Sequence, residues 1–256
     1  MAKNADRPFF LYLSLIQPHA NNESVHYDWA HGMEVPSYGQ YEDTNYPDYA
    51  KGYAAMVSHI DTGVGAIMQQ LQSLGIAEDT IVMFSSDNGP HKEGGNDPEF
   101  FDSNGQYRGI KRDLYEGGIR VPMIAWGPGT VKAGQRTNHI GYFGDLMATA
   151  AEIAGVAPPE NTDSISFMPT LTAQSEQVQH DHLYWEFYEW GSKQAIRKGK
   201  YKAVRMPMFT GPIEIYDLAA DPSEQHNIAA SLPTLVAEFK QMFKAAHVPD
   251  PVWQVK

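Results

Sequence analysis

The sequence predicts an α/β chain: a mostly parallel sheet flanked by helices, followed by a small antiparallel sheet with one helix. Three observations carry this. PFFLYLSLI at 8–16 is apolar on both sides, as a strand buried in a parallel sheet must be. Strand-like and helix-like segments then alternate, the order of parallel crossover units. Beyond about residue 170, short strands follow one another with only turns between them.

Residues 9–16 form the first expected strand. From Gln17 to about Asp48 the chain is polar and aromatic, with Pro18, Pro36 and Pro47 and no period, so it reads as a long loop of a kind that is often functional. Tyr53, Met56, Val57, Ile60, Val64, Ile67, Met68, Leu71 and Leu74 recur every three to four positions, a helix that Gly75 stops. Gly63 and Gly65 weaken its propensity but permit close packing on a sheet. TIVMFS at 80–85 is a second strand, ending on Ser86-Asp87-Asn88-Gly89-Pro90. Residues 89–118 read as irregular and glycine-rich, and VPMIAW at 121–126 as a strand closed by Gly127-Pro128-Gly129. A helix near 142–154 gathers Phe143, Leu146, Met147, Ala150 and Ile153 on one side. Strands follow at 183–190, 193–205 and 212–218. The first is aromatic (Tyr184, Trp185, Phe187, Tyr188, Trp190), which suits packing. The last helix, near 231–246, has Pro233 in its first turn and turns Leu235, Phe239, Met242 and Phe243 inward. The expected division is an α/β part over 1–172 and a small α+β part over 173–256.

Composition narrows the functions. The 256 residues are 42% hydrophobic, enough for one large core or two unequal domains. Nineteen basic against thirty-one acidic residues give a net charge of −12, which does not suit non-specific binding to nucleic acid or an anionic membrane. With no cysteine, disulfides, thiolate metal sites and cysteine nucleophiles are excluded within the chain. No run approaches the roughly 18 apolar residues of a membrane helix. No small-residue cleavage site follows 8–16, so that run reads as a strand and not as a signal peptide.

Asp87-Asn88 is the strongest local signal for chemistry. It sits at the C-terminal end of a strand, where open parallel sheets gather ligands, and offers oxygens to a hard cation such as calcium or magnesium. Asp-Asn-Gly is equally a plain turn. An EF-hand centred on Gly105 fails, because Lys111 would stand at the chelating twelfth position. Lys111, among glycines before a strand, could neutralise a sulfate or phosphate oxygen, or be a surface lysine. His19 could donate to an anion or protonate a leaving oxygen, and His91 is a weaker candidate for substrate contact. No G-x-S-x-G elbow, H-E-x-x-H or Walker-type loop is present.

Together these segments resemble the C-terminal portion of the sulfatase family (arylsulfatase-like, formylglycine-dependent). The carriers are PFFLYLSLIQPHANN at 8–22, YAAMVSHIDTGVGAIMQQLQSLG at 53–75, TIVMFSSDNGPHKEGG at 80–95 and RGIKRDLYEGGIRVPMIAWGPG at 108–129. DSISFMPTL at 163–171, LYWEF at 183–187, QAIRKGKYKAVR at 194–205 and IEIYDLAADPSEQHNIA at 213–229 continue them in the family's order. The resemblance implies an alkaline-phosphatase-like fold, here truncated, and hydrolysis of sulfate esters of carbohydrates or aryl alcohols with bound calcium. It implies that Asp87 and Asn88 are cation ligands, with Asp87 also orienting the nucleophile. Lys111 would bind the sulfate or leaving oxygen, and His19 would contact the sulfate and help the leaving oxygen depart.

Family members form their formylglycine nucleophile in a C/S-x-P/A-x-R sequence, and no such sequence occurs here. An acidic pair that completes the cation site, and a second lysine–histidine set, are also missing. The expectation is therefore a truncated or split gene product that is inactive alone, binds calcium (or magnesium) weakly or not at all, and self-associates or lacks an N-terminal half. Its partner would be a sulfated small molecule or sugar. Relatives are often exported, so a periplasmic or extracellular parent is expected. Two alternatives are a non-catalytic module binding sulfated glycans and a phosphatase or phosphodiesterase of the same superfamily. The latter ordinarily has Asp-His where Asp87-Asn88 stands.

Overall fold

The computed structural model describes residues 1–28 and 30–254. Trp29, inside the expected loop from Gln17 to Asp48, and residues 255–256, at the end of the expected C-terminal part, lie outside the described residues. The chain forms two compact units, each discontinuous in sequence. The first comprises Met1–Ser85, Pro90–Ser103 and Met123–Gln135, and the second Ser86–Gly89, Asn104–Pro122 and Arg136–Lys256. Among the described residues no helix is long and apolar enough to cross a membrane.

In the first unit the periodic stretch forms helix α1, Asp48–Ser73. It ends as Gly75 adopts φ +69°, with the amides of Gly75 and Ile76 donating to the carbonyls of Gln72 and Leu71. Its first turns bury Met56 against Ala20 and the fully buried Met33, flanked by Val35, Tyr49 and Tyr53. Gly52 permits this, since a Cβ there would lie 1.9 Å from the Met33 carbonyl oxygen. Gly63 and Gly65 do not show the packing role expected of them, because among the described residues nothing lies within 4 Å of a Cβ built at either. Strands β1, Val82–Ser85, and β2, Met123–Trp126, pair antiparallel, Val82 opposite Trp126 and Ser85 opposite Met123.

The strand expected at 9–16 does not form. Residues 8–16 carry no regular structure, and Phe10 and Ile16 are 80% and 78% exposed. An apolar run becomes a strand only when a neighbour pairs its backbone. None of the described strands pairs with it, so the parallel crossover from 9–16 to 80–85 is not made.

The second unit realises the expected antiparallel sheet. Strands β3 (Leu183–Phe187), β4 (Lys193–Lys198), β5 (Tyr201–Arg205) and β6 (Ile213–Asp217) pair in sequence order. Side-chain alternation gives the sheet two different faces. On one, Ile196, Ala203 and Ile215 pack on Phe239 and Phe243 of helix α5, Pro233–Ala246. The other buries Ala195 and Val204 with Leu114, joined by Tyr115, Ile119, Trp185 and Phe187. Trp190 departs from the packing role expected of the aromatic run: it lies beyond β3 and is 74% exposed.

The described residues of this unit also include the short α-helices α2 (Glu116–Ile119), α3 (Asp145–Ile153) and α4 (Met168–Thr172) and a 3-10 turn at Ala229–Ser231. The first was not legible in the irregular stretch 89–118. Asp145 is fully buried at the start of α3. It accepts hydrogen bonds from the amides of Tyr142 (3.0 Å) and Ile165 (2.8 Å), and His180 Nε2 lies 3.0 Å from both its oxygens.

Glu186 on β3 clasps the end of α5, receiving hydrogen bonds from the Tyr184 and Tyr188 hydroxyls and from His247 Nδ1 at 2.6 Å. Burial raises its carboxyl pKa, but the three donors outweigh burial and hold it below the ordinary glutamate value. A depressed carboxylate stabilises the fold above its unfolded pKa, and the contribution is lost as pH falls through the folded one. Far-UV circular dichroism during acid titration should therefore show Glu186→Gln removing part of the stability loss between roughly pH 5 and pH 3. An unchanged acid limb would show that the clasp contributes nothing.

Candidate functional site

The second unit holds Asp87, Asn88 and Lys111, and one strip of backbone organises them. Gly117 and Gly118 lie in α2 with both residues buried. On one side Gly89 meets this pair: its amide donates to the Gly118 carbonyl at 2.9 Å, and a Cβ on Gly89 would lie 1.8 Å from the Gly117 oxygen. The turn around Lys111 also reaches it, because a Cβ on Gly118 would lie 2.2 Å from the Asp113 oxygen and 2.5 Å from the Ile110 oxygen. A Cβ on Gly117 would lie 2.1 Å from the Gly109 oxygen. Only glycine admits backbone so close on both sides. The loop of Asp87-Asn88 and the turn of Lys111 therefore rest on the same two residues.

What holds α2 in place is a buried ionic cluster. Lys202 on β5 is fully buried, with its Nζ 3.1 Å from Glu116 Oε1 and 3.0 Å from Glu224 Oε1. Glu224 Oε2 accepts from the Glu116 amide at 2.6 Å, and Arg197 and Arg120 each lie 3.5 Å from Glu116 Oε2. Arg108 donates to the Glu224 carbonyl at 3.1 Å and to the Tyr216 hydroxyl at 3.0 Å. Burial pushes the Glu224 carboxyl pKa up against the pull of the Lys202 ammonium. Sequence reading missed this cluster. Its one signal was a lysine, Lys202, at an alternation position that the sheet turns inward, beside Val204.

His19 and His91 lie in the first unit, stacked with ring centroids 5.5 Å apart and planes 22° from parallel. His19 Nδ1 donates to the Ala20 carbonyl at 2.7 Å, and its Nε2 lies 3.2 Å from Glu93 Oε2. His91 is buried. Its Nδ1 accepts from the Glu93 amide at 3.2 Å, which leaves Nε2 to donate to the Pro18 carbonyl at 3.1 Å. His91 thus supports the backbone of the residue before His19. Glu93, which sequence reading did not single out, is the acidic neighbour of His19.

Asp87 is exposed and Asn88 half-buried, with the Asn88 carbonyl accepting from the Ser86 hydroxyl at 3.1 Å. They offer one formal charge and a few oxygens, whereas calcium takes six to eight. Among the described residues no group of three or more His, Asp or Glu could hold a metal ion. The pair does not fit a complete calcium site by itself.

The close approach at Gly118 is testable against the open position in α1. Gly118→Ala should cost at least about 2 kcal/mol in urea unfolding, because backbone must move. Gly63→Ala should instead stabilise by about 0.5–1 kcal/mol. Equal effects at the two positions would contradict the role given to the glycine pair.

Comparison with known proteins follows the same segments. Residues 1–156 match the Sulfatase family and residues 105–247 match "N-sulphoglucosamine sulphohydrolase, C-terminal". The N-acetylgalactosamine-6-sulfatase of Rattus norvegicus is 37% identical over 158 residues, covering 59% of this chain and 28% of that protein. Arylsulfatase A of Bos taurus is 28% identical over 273 residues, covering 95% of this chain and 48% of that protein. The crystal structure of Ps i-CgsB superposes with a TM-score of 0.78 at 27% identity, covering 95% of this chain and 51% of that one. Its complex with k-i-k-neocarrahexaose gives 0.68 over 84% of this chain and 47% of that one. The chain thus spans between about a quarter and a half of these relatives, and the expected alkaline-phosphatase-like α/β class holds. By the match over its first 156 residues, the chain belongs to the sulfatase family.

Proposed function

We propose that this chain carries the leaving-group and cation-side elements of a sulfuric ester hydrolase for sulfated carbohydrates, and that it does not turn substrate over alone. The observation that carries the reading is the shared support of the Asp87-Asn88 loop and the Lys111 turn on Gly117-Gly118. Backbone of the Asp87-Asn88 loop and of the Lys111 turn meets at one strip, which supports a site for an ester anion beside a cation. The substrate class is supported by the names of the relatives, an N-acetylgalactosamine-6-sulfatase and a protein crystallised with k-i-k-neocarrahexaose.

In this reading Lys111 neutralises charge on the sulfate or the leaving oxygen. His19, whose Nδ1 is committed to the Ala20 carbonyl, uses Nε2 for the substrate, where the sulfate exchanges with Glu93. His91 keeps His19 in place and is not itself a contact to substrate. Asp87 and Asn88 contribute two calcium ligands. The chain has no C/S-x-P/A-x-R sequence to yield formylglycine, so in this reading it supplies no nucleophile for a covalent step. The exposed apolar residues of 9–16 support self-association.

Homogeneous 28.5 kDa chain should show no turnover of 4-nitrophenyl sulfate or of N-acetylgalactosamine 6-sulfate. Activity that co-elutes with the intact mass, without a longer species, would refute the proposal. Peptide mapping of the protein from its native source adds the complementary result, because an upstream formylglycine peptide would make this chain part of a longer active enzyme. Calcium titration by calorimetry should give a dissociation constant above about 1 mM, weaker still in Asp87→Asn. Micromolar affinity lost in Asp87→Asn would show a complete site.

A further inference from the structure

The aromatic run at 183–190 leaves one residue, Trp190, that the core does not bury. Between β3 and β4, Trp190, Gly191 and Ser192 have φ values of +53°, +91° and +30°. Two of the three are not glycine, so the surroundings must impose this conformation. They do: Ser192 is buried, and both its hydroxyl and its carbonyl accept from the Met208 amide, each at 3.2 Å. On the next residue, Lys193 Nζ donates to the Arg112 carbonyl at 3.0 Å and reaches Asp113 Oδ1 at 3.2 Å.

The product of this bracing is an indole standing 74% in solvent, with the Arg112 guanidinium 4.5 Å over its ring. Arg112 is the residue after Lys111 and, at φ +79°, is itself held in the left-handed region. Its charge is balanced by Glu189 at 3.9 Å. Two strained segments thus meet at an exposed aromatic, and the guanidinium over it belongs to the residue that follows Lys111 in sequence. Apart from that contact the indole gains little from burial, so its place in solvent is not explained by packing.

We infer that Trp190 is a stacking platform for a pyranose ring of the sulfated carbohydrate, placed so that the ring's sulfate reaches Lys111. The electron-rich indole face attracts the polarised C–H groups on one face of a sugar, and the rigid side chain loses little entropy on binding. This inference rests on the carbohydrate reading above and adds the residue that recognises the sugar rather than the sulfate.

The test is binding of the whole chain to neocarrahexaose and to a chondroitin 6-sulfate hexasaccharide, each beside its desulfated form, followed by saturation-transfer NMR and tryptophan fluorescence. Trp190→Ala should weaken both sulfated and desulfated sugars roughly tenfold, with Trp190→Tyr restoring most of the affinity. Thermal unfolding should be unchanged, since the side chain is exposed. Lys111→Ala should abolish only the preference for the sulfated form. Wild-type affinity in Trp190→Ala, with Lys111→Ala weakened, would overturn the platform and leave the sulfate site standing. Loss in Trp190→Ala with no effect of Lys111→Ala would keep the platform and overturn the sulfate site. Failure of the wild-type chain to bind any of the sugars would overturn the platform.

Discussion

Lys202, closed off from solvent between Glu116 and Glu224, sets the terms for the second unit. Burying three charges costs several kcal/mol per ion in desolvation, and their attraction offsets this only when the geometry is good and hydrogen bonds satisfy the remaining atoms. Here an amide–carboxylate bond between Glu116 and Glu224, and the nearby Arg197 and Arg120, complete the set. A well-packed apolar trio could hold the sheet equally well. What the charged trio adds is a defined position for Glu116, and hence for the two glycines that follow it.

From that anchor the order of dependence runs outward. The sheet fixes Lys202, Lys202 fixes Glu116, and α2 then presents Gly117-Gly118 to two loops that have no regular structure of their own. The proposed site residues of this unit lie on the loops and none on the sheet, a common division in which binding groups sit on irregular backbone held by a rigid scaffold. Each loop residue can be exposed or half-buried, as Asp87 and Lys111 are, because its backbone is fixed from beneath.

Periodic elements were legible in the sequence, since α1, α5 and the four-stranded sheet each bury one face and write that face into their spacing. The residues 9–16 were misread for a physical reason: composition reports the environment a segment suits, while a strand also requires a partner for its backbone. Helix α2 was missed because four residues show no period and two of them are glycine. Trp190 was misassigned because hydrophobicity predicts burial and cannot register a turn that lifts a side chain out. Among the candidate site residues, Asp87, Asn88, Lys111 and His19 could be named from the sequence. The roles of Glu93, Glu116 and Glu224 depend on contacts between positions distant along the chain.

The glycine pair has a consequence at the level of the gene. Every amino-acid replacement reachable by one nucleotide change in a glycine codon adds at least a Cβ, and at Gly117 and Gly118 that atom has nowhere to go. Side chains around the Asp87 loop and the Lys111 turn can therefore be replaced one at a time, while the strip beneath them cannot. Side-chain change around these loops can accumulate without the backbone that organises them ever passing through an intermediate.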